Sequence, residues 1–166
     1  ARGVGIPEPG EFLVGFGDES KRVATWVAGA AALLAVIVTI PGGQVGDVAI
    51  ASVSGATTML EGTLPYGHVI DGIVHGDTYP IFAYVLYAPA ALIWPVRDLF
   101  DNLDGGLWIA AISLLAAAWA IFRSSKEAVD AEFGLRHAAA WFIFPPVLVT
   151  AAAGANDLPT AALIAW

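Results

Sequence analysis

Cysteine is absent from the 166-residue chain, which excludes both a disulfide framework and a thiolate metal site. Charge is scarce as well. Asp, Glu, Lys and Arg make up 13% of the residues, whereas a soluble domain carries about 25%. Basic residues are the scarcer sign, 7 against 15 acidic, for a formal net charge of −8. That balance excludes nucleic acid as a partner, because a phosphate backbone requires a basic face. No Lys or Arg occurs from Pro41 to Thr78. Internal repeats and low-complexity linkers are also missing, so neither a solenoid nor a tethered pair of domains is expected.

What fills the chain is apolar. Hydrophobic residues reach 58%, against about 45–50% in ordinary domains, and they lie in blocks. Val23–Ile40, Leu107–Phe122 and Ala138–Gly154 contain no charged residue. A membrane-spanning helix needs about 20 mainly apolar residues. The first block meets that length, and the other two meet it with their flanks. A fourth block, Tyr79–Val96, is interrupted by Pro80, Pro89 and Pro95. Val23–Ile40 is too long and too far into the chain for a signal peptide. The expected fold class is therefore all-α, a polytopic transmembrane helical protein. Residues 1–22 form a cytoplasmic N-terminal segment. Residues 23–166 form the N-terminal part of one multi-span domain, with spans at about 23–40, 107–122 and 138–154 and another beginning at 158. The opening at Ala1 and the close at Trp166 within an apolar run are expected of a piece of a longer protein.

Basic residues orient the spans. Lys21 and Arg22 precede the first span, which places the N-terminus in the cytoplasm. The segment Pro41–Thr78, with Asp47, Glu61, Asp71 and Asp77, then lies outside. If Tyr79–Val96 crossed, Arg123, Lys126 and Arg136 would fall outside, against the charge rule. If it lies along the outer surface, those three residues are cytoplasmic and Asn156–Asp157 emerge outside. The second arrangement is preferred, with Tyr79, Phe82, Tyr84, Tyr87 and Trp94 as boundary anchors and the prolines in a kinked surface helix.

The outer loop carries local signals. Asp47 is a good N-cap, Gly62 stands where a helix C-terminus wants glycine, and Ile50, Val53, Thr57 and Leu60 share one helical face. A short amphipathic helix is expected from Val48 to about Glu61. A turn at Leu64-Pro65-Tyr66-Gly67 follows, and a second surface helix starts near Thr78 and Pro80.

Three stretches of residues carry a family resemblance: Gly46-Asp47 with a helix ending in Glu61-Gly62-Thr63-Leu64-Pro65-Tyr66; Gly76-Asp77-Thr78-Tyr79-Pro80-Ile81-Phe82-Ala83-Tyr84; and Phe144-Pro145-Pro146 leading to Gly154-Ala155-Asn156-Asp157. In this order around the spans, the chain resembles the N-terminal portion of GT-C type membrane glycosyltransferases. The branch it is most similar to is glycosyltransferase family 87, which includes polyprenyl-phosphate-mannose-dependent mannosyltransferases. The resemblance implies an integral protein of a bacterial plasma membrane, with its active site on the outer face. It implies a polyprenyl-phosphate sugar donor, mannose by analogy, and a lipid or glycan acceptor, with membrane lipids as surroundings. It maps a catalytic base onto Asp47 and a second catalytic carboxylate onto Asp157. Tyr66, His68, Asp77, Tyr79, Tyr84 and Asn156 then become substrate-binding residues. Some enzymes of this type use a divalent metal and others use none, so no cofactor is assigned and no metal ligand is named.

The same residues also have plainer readings. Asp47 and Asp157 suit helix caps, and Glu61 suits a solvated helix end. The tyrosines suit boundary anchors. His68, His75, Asp71 and Asp77 match no familiar ligand spacing. Asp98, Asp101 and Asp104 read as a solvated loop, Lys126, Glu127, Asp130 and Glu132 as a solvated cytoplasmic face, and Pro145-Pro146 as a kink. A different class of function, a transporter part or a non-enzymatic assembly subunit, stays open. Transporters place ionisable groups inside their spans, and these spans carry none.

Overall fold

The structure is a computed structural model that describes residues 9–39, 45–68, 70, 72–73, 77–154 and 157–166, with side chains from Glu19 onward. The described residues form seven helices and no strand: α1 (Pro9–Thr39), α2 (Asp47–Leu60), α3 (Ile81–Ile93), α4 (Asp104–Ala128), α5 (Ala131–Ile143), α6 (Pro145–Ala152) and α7 (Asp157–Ala165).

The uncharged runs become the long helices. Glu19–Thr39 of α1 and Asp104–Ala128 of α4 are each long and apolar enough to cross a membrane. The helix α1 starts well before residue 23. Proline is tolerated in its first turn, where a missing N–H would have had no intrahelical partner. The third expected span is broken. Pro145 and Pro146 force Phe144 into an extended conformation, with φ −71° and ψ 115°, and α5 and α6 diverge by 56°. The two make a third crossing if they act as one span. With 13 residues, about 20 Å at 1.5 Å per residue, α3 is shorter than the roughly 30 Å hydrocarbon core.

Side-chain size sorts itself in the membrane manner. Along α1 the inward positions are Ala28, Ala31 and Ala35, while Trp26 (79% exposed), Leu33, Leu34 and Ile37 point outward. In lipid, bulky apolar groups gain nothing by turning inward, and small residues let helices approach closely. The same logic brings α5 onto α4. A Cβ on Gly134 would stand 2.7 Å from the Phe122 carbonyl oxygen, and the Trp141 indole donates to the Leu114 carbonyl at 3.3 Å.

Two cores result. One joins the bundle through Ala31, Ala35, Ala110, Leu114, Phe142, Val147, Ala151 and Leu158. The other lies under α2 and α3 and consists of Val53, Ala56, Tyr84, Tyr87, Ala91 and Val96. It corrects two expectations. First, α2 is not an amphipathic surface helix: Ala49 and residues 51 to 57 are all buried, because small side chains let α3 and α4 close over it. Second, Tyr84 and Tyr87 are fully buried rather than anchored at a membrane boundary.

The bundle has two unlike ends. At one end Arg123 pairs with Glu127, and Arg136 with Glu132, which also accepts from the Ser20 hydroxyl. Glu132 is thus part of the α1–α5 contact rather than a solvated face. The cap of α2 and α3 covers the other end.

Candidate functional site

The site at the capped end is built on close backbone approaches. The Gly46 N–H donates to the Ala153 carbonyl at 2.9 Å, tying the start of α2 to the turn before α7. Ala49, one turn into α2, sits between two glycines. A Cβ on Gly106 would lie 2.9 Å from the Ala49 methyl, and one on Gly154 would lie 3.0 Å from it. Gly154 has φ +66°, a left-handed conformation that glycine adopts without a Cβ clash. These contacts bring the start of α2, where Asp47 is the first residue, against the turn that leads into α7, where Asp157 is the first.

Neither carboxylate plays the capping role in its expected form. Gly46 occupies the N-cap of α2 and makes no side-chain bond, while Asp47 Oδ1 accepts from the next amide, Val48 N–H, at 2.8 Å. Asp157 likewise stands inside the first turn of α7. Both are exposed. Each also favours its helix electrostatically, since an anion in the first turn opposes the positive end of the macrodipole.

All four tyrosines of the chain belong to this end. Tyr79 is half-buried beside the two carboxylates. Burial raises its phenol above the ordinary 10.0, and the charges of Asp47 and then Asp157 raise it further. Tyr84 receives edge-on contacts from Tyr79 and Tyr66, with ring centroids 6.4 and 6.3 Å away. Its pKa is also raised, chiefly by burial. Tyr87 is pushed up most strongly, by burial first and then by Asp157 and Tyr79. Its hydroxyl reaches the Gly154 carbonyl at 3.5 Å. Tyr66 is exposed and its hydroxyl donates to the Tyr79 carbonyl at 3.2 Å, while Asp77 accepts from the Gly67 N–H at 3.2 Å.

The predicted site residues therefore separate into groups. Asp47 and Asp157 lie close enough to Tyr79 to act on it electrostatically. Tyr66 and Asp77 brace the loop beside them. Tyr84 supports this loop from below and, fully buried, presents no ring face to a ligand. His68 lies elsewhere, in a cavity at the opposite end of α2. Asn156 falls outside the described residues, as do Gly76, and Asp71 and His75 of the metal pattern. Among the described residues no three His, Asp or Glu side chains converge on a metal-sized point. Asp47 and Asp157 alone supply fewer oxygens than the six or so ligands of a magnesium or calcium shell. Sequence reasoning missed Tyr87 and Gly154 as parts of this site. The Gly154-to-Asp157 motif pointed to the turn, but no spacing rule links it to Tyr87.

No protein-family model matches this chain, and neither a curated protein nor a solved structure matches it.

Proposed function

We propose that the protein is a membrane glycosyltransferase that moves a sugar, mannose by resemblance, from a polyprenyl-phosphate donor to a lipid or glycan acceptor on the outer face of the membrane. The observation that carries this reading is the backbone bond from Gly46 to Ala153, which brings the starts of α2 and α7, with Asp47 and Asp157, to one end of the bundle within electrostatic reach of Tyr79. The supporting context is their place at the end of the bundle away from Lys21, Arg22, Arg123, Lys126 and Arg136, which the charge rule assigns to the cytoplasm. The ionisable residues stand at the ends of the apolar runs and not within them, which favours chemistry at the surface over conduction.

In this mechanism Asp47 takes the proton of the acceptor hydroxyl. The acceptor oxygen bonds to the anomeric carbon as the bond from that carbon to the phosphate oxygen breaks, and the polyprenyl phosphate leaves with the electron pair. Tyr79 stays a neutral phenol at physiological pH and so remains a hydrogen-bond donor for a developing negative charge. Asp157 orients the acceptor or balances charge as the sugar acquires positive character. The lipid tail of the donor stays in the bilayer while its headgroup reaches the capped end.

The test uses the intact protein in membranes with a radiolabelled polyprenyl-phosphate sugar. Asp47→Asn and Asp47→Ala are compared with wild type at equal membrane abundance. Loss of transfer in both supports Asp47 as base. Near-normal transfer in both removes that role, and absence of transfer by wild type from a broad donor panel shifts the weight to a transporter part or assembly subunit.

A further inference from the structure

A cavity of about 350 Å³ opens at the far end of α2 from Asp47. Its lining includes Thr58, Glu61, Thr63, His68 and Arg97 over an apolar patch of Ile70 and Val96. The volume falls in the usual range for small-ligand sites.

Three features select its ligand. Glu61 Oε1 accepts from Arg97 Nε at 2.7 Å and lies 2.6 Å from Nη2 in the same ion pair. This pairing neutralises the cation, so the lining has no surplus charge to hold an anion. It also leaves Glu61 Oε2 and Arg97 Nη1, a carboxylate acceptor and a guanidinium donor side by side, to meet neighbouring hydroxyl groups. The Thr58 hydroxyl donates to the Ser54 carbonyl at 3.0 Å and keeps its lone pairs as acceptors. Ile70 offers an apolar surface for the C–H face of a sugar ring. Arg97 is also held from behind, because its backbone N–H donates to Asp101 at 2.7 Å.

The geometry points to a binding site for a neutral, polyhydroxylated ligand: a carbohydrate segment recognised by the Glu61–Arg97 pair and His68. The cavity lines α2 from Ser54 to Glu61, 7 to 14 residues from Asp47 and about 10–20 Å at the helical rise, so a glycan that reaches both ends spans more than one sugar unit. Building on the transferase reading above, this is the subsite for the distal part of a glycan acceptor.

The test measures binding and not transfer, which separates the two readings. The probes are neutral linear oligosaccharides of glucose, mannose and N-acetylglucosamine, with inorganic phosphate as the anionic comparison. The intact protein is held in lipid nanodiscs and ligand protons are followed by saturation-transfer NMR. We expect wild type to bind at least one neutral oligosaccharide. Glu61→Gln and Arg97→Gln should each weaken it roughly tenfold, the cost of one charged hydrogen bond, and His68→Ala about threefold, the cost of a neutral one. Arg123→Gln, at the other end of the bundle, should leave it unchanged. Glu61 and Arg97 are exposed, so their replacement tests recognition with little effect on folding. Binding without any transfer activity would sustain the site and sink the transferase. Transfer to a glycan with unaltered binding in all three variants would overturn the site, as would a preference for phosphate over every neutral sugar or failure of the whole panel to bind.

Discussion

Gly55 of α2 lies directly against the ring of Tyr84 of α3: a Cβ at residue 55 would stand 2.5 Å from Tyr84 Cε1 and 3.3 Å from Pro65 Cβ. With Tyr84 fully buried and braced by Tyr66 and Tyr79, the ring cannot move aside. Gly55→Ala should therefore destabilise the capped end by about 1–3 kcal/mol, the range for overpacking a tight core. Gly29→Ala provides the contrast. Nothing lies within 4 Å of that position, and alanine favours a helix by up to about 1 kcal/mol over glycine. Thermal unfolding in detergent should lower the midpoint for Gly55→Ala and hold or raise it for Gly29→Ala. Equal midpoints would mean that α2 and α3 are not in this contact.

Tyr79 reports on the carboxylate pair. Burial raises its pKa first, but both nearby carboxylates add to the penalty on the phenolate. Neutralising either one removes part of that penalty, so Asp47→Asn and Asp157→Asn should each lower the Tyr79 titration midpoint. Ultraviolet difference titration against a Tyr79→Phe background isolates the signal. Asp130→Asn, at the basic end, should leave the midpoint where it is. A midpoint that ignores Asp47 and Asp157 would separate the three groups.

Tyr87 makes the fold sensitive to alkali. Its pKa in the folded protein lies above the ordinary 10.0, chiefly through burial. Between the two values the folded state holds a proton that the unfolded state has released, so stability falls as pH rises. The contribution is complete below pH 10 and is lost progressively above it. Tyr87→Phe should flatten this alkaline decline in denaturant midpoints. Its long bond to the Gly154 carbonyl implies a cost at neutral pH of no more than about 1 kcal/mol. An unchanged slope would place the alkaline loss in another group.

Asp101 acts in the opposite direction. It accepts from the backbone N–H groups of Arg97 and Asp98, which lower its pKa below the ordinary 3.8. The folded loop thus prefers the ionised form. Its contribution is present above pH 3.8 and disappears as the pH falls through the lower, folded value. Asp101→Asn should reproduce the loss at neutral pH, seen as faster hydrogen exchange at the Arg97 and Asp98 amides. It should also loosen the Arg97 side of the cavity beside Glu61 and His68. Unaltered exchange would show that these two amides are protected in some other way.

Much of the helical order was legible in the sequence because its signals are local. Uncharged length announced α1 and α4, Pro145-Pro146 announced the bend, and Gly62 announced the end of α2, where it sits at φ +86°. The misreadings share a cause. Ile50, Val53, Thr57 and Leu60 suggested a one-sided helix, but burial on the remaining faces depends on Ala49, Ser52, Gly55 and Ala56 being small enough for two other helices to close in. Tyr84 and Tyr87 have the composition of boundary anchors, and only the position of α2 makes them a core. Asp101 looked like one charge in a solvated acidic run, yet it organises that loop through two backbone amides.

By itself, the sequence determined where apolar length sits, which ends of the runs carry positive charge, and which few carboxylates and tyrosines are available outside them. These are properties of single segments, set by hydropathy, proline and charge. Tertiary structure alone decided that Asp47 and Asp157 share a neighbour in Tyr79 and that His68 does not join them. It also decided that Glu61 meets Arg97. The first of these relations depends on glycines 46, 106 and 154 letting three backbones approach within a methyl group of one another. No periodicity along a single helix encodes such a convergence, because it exists only once the helices have packed.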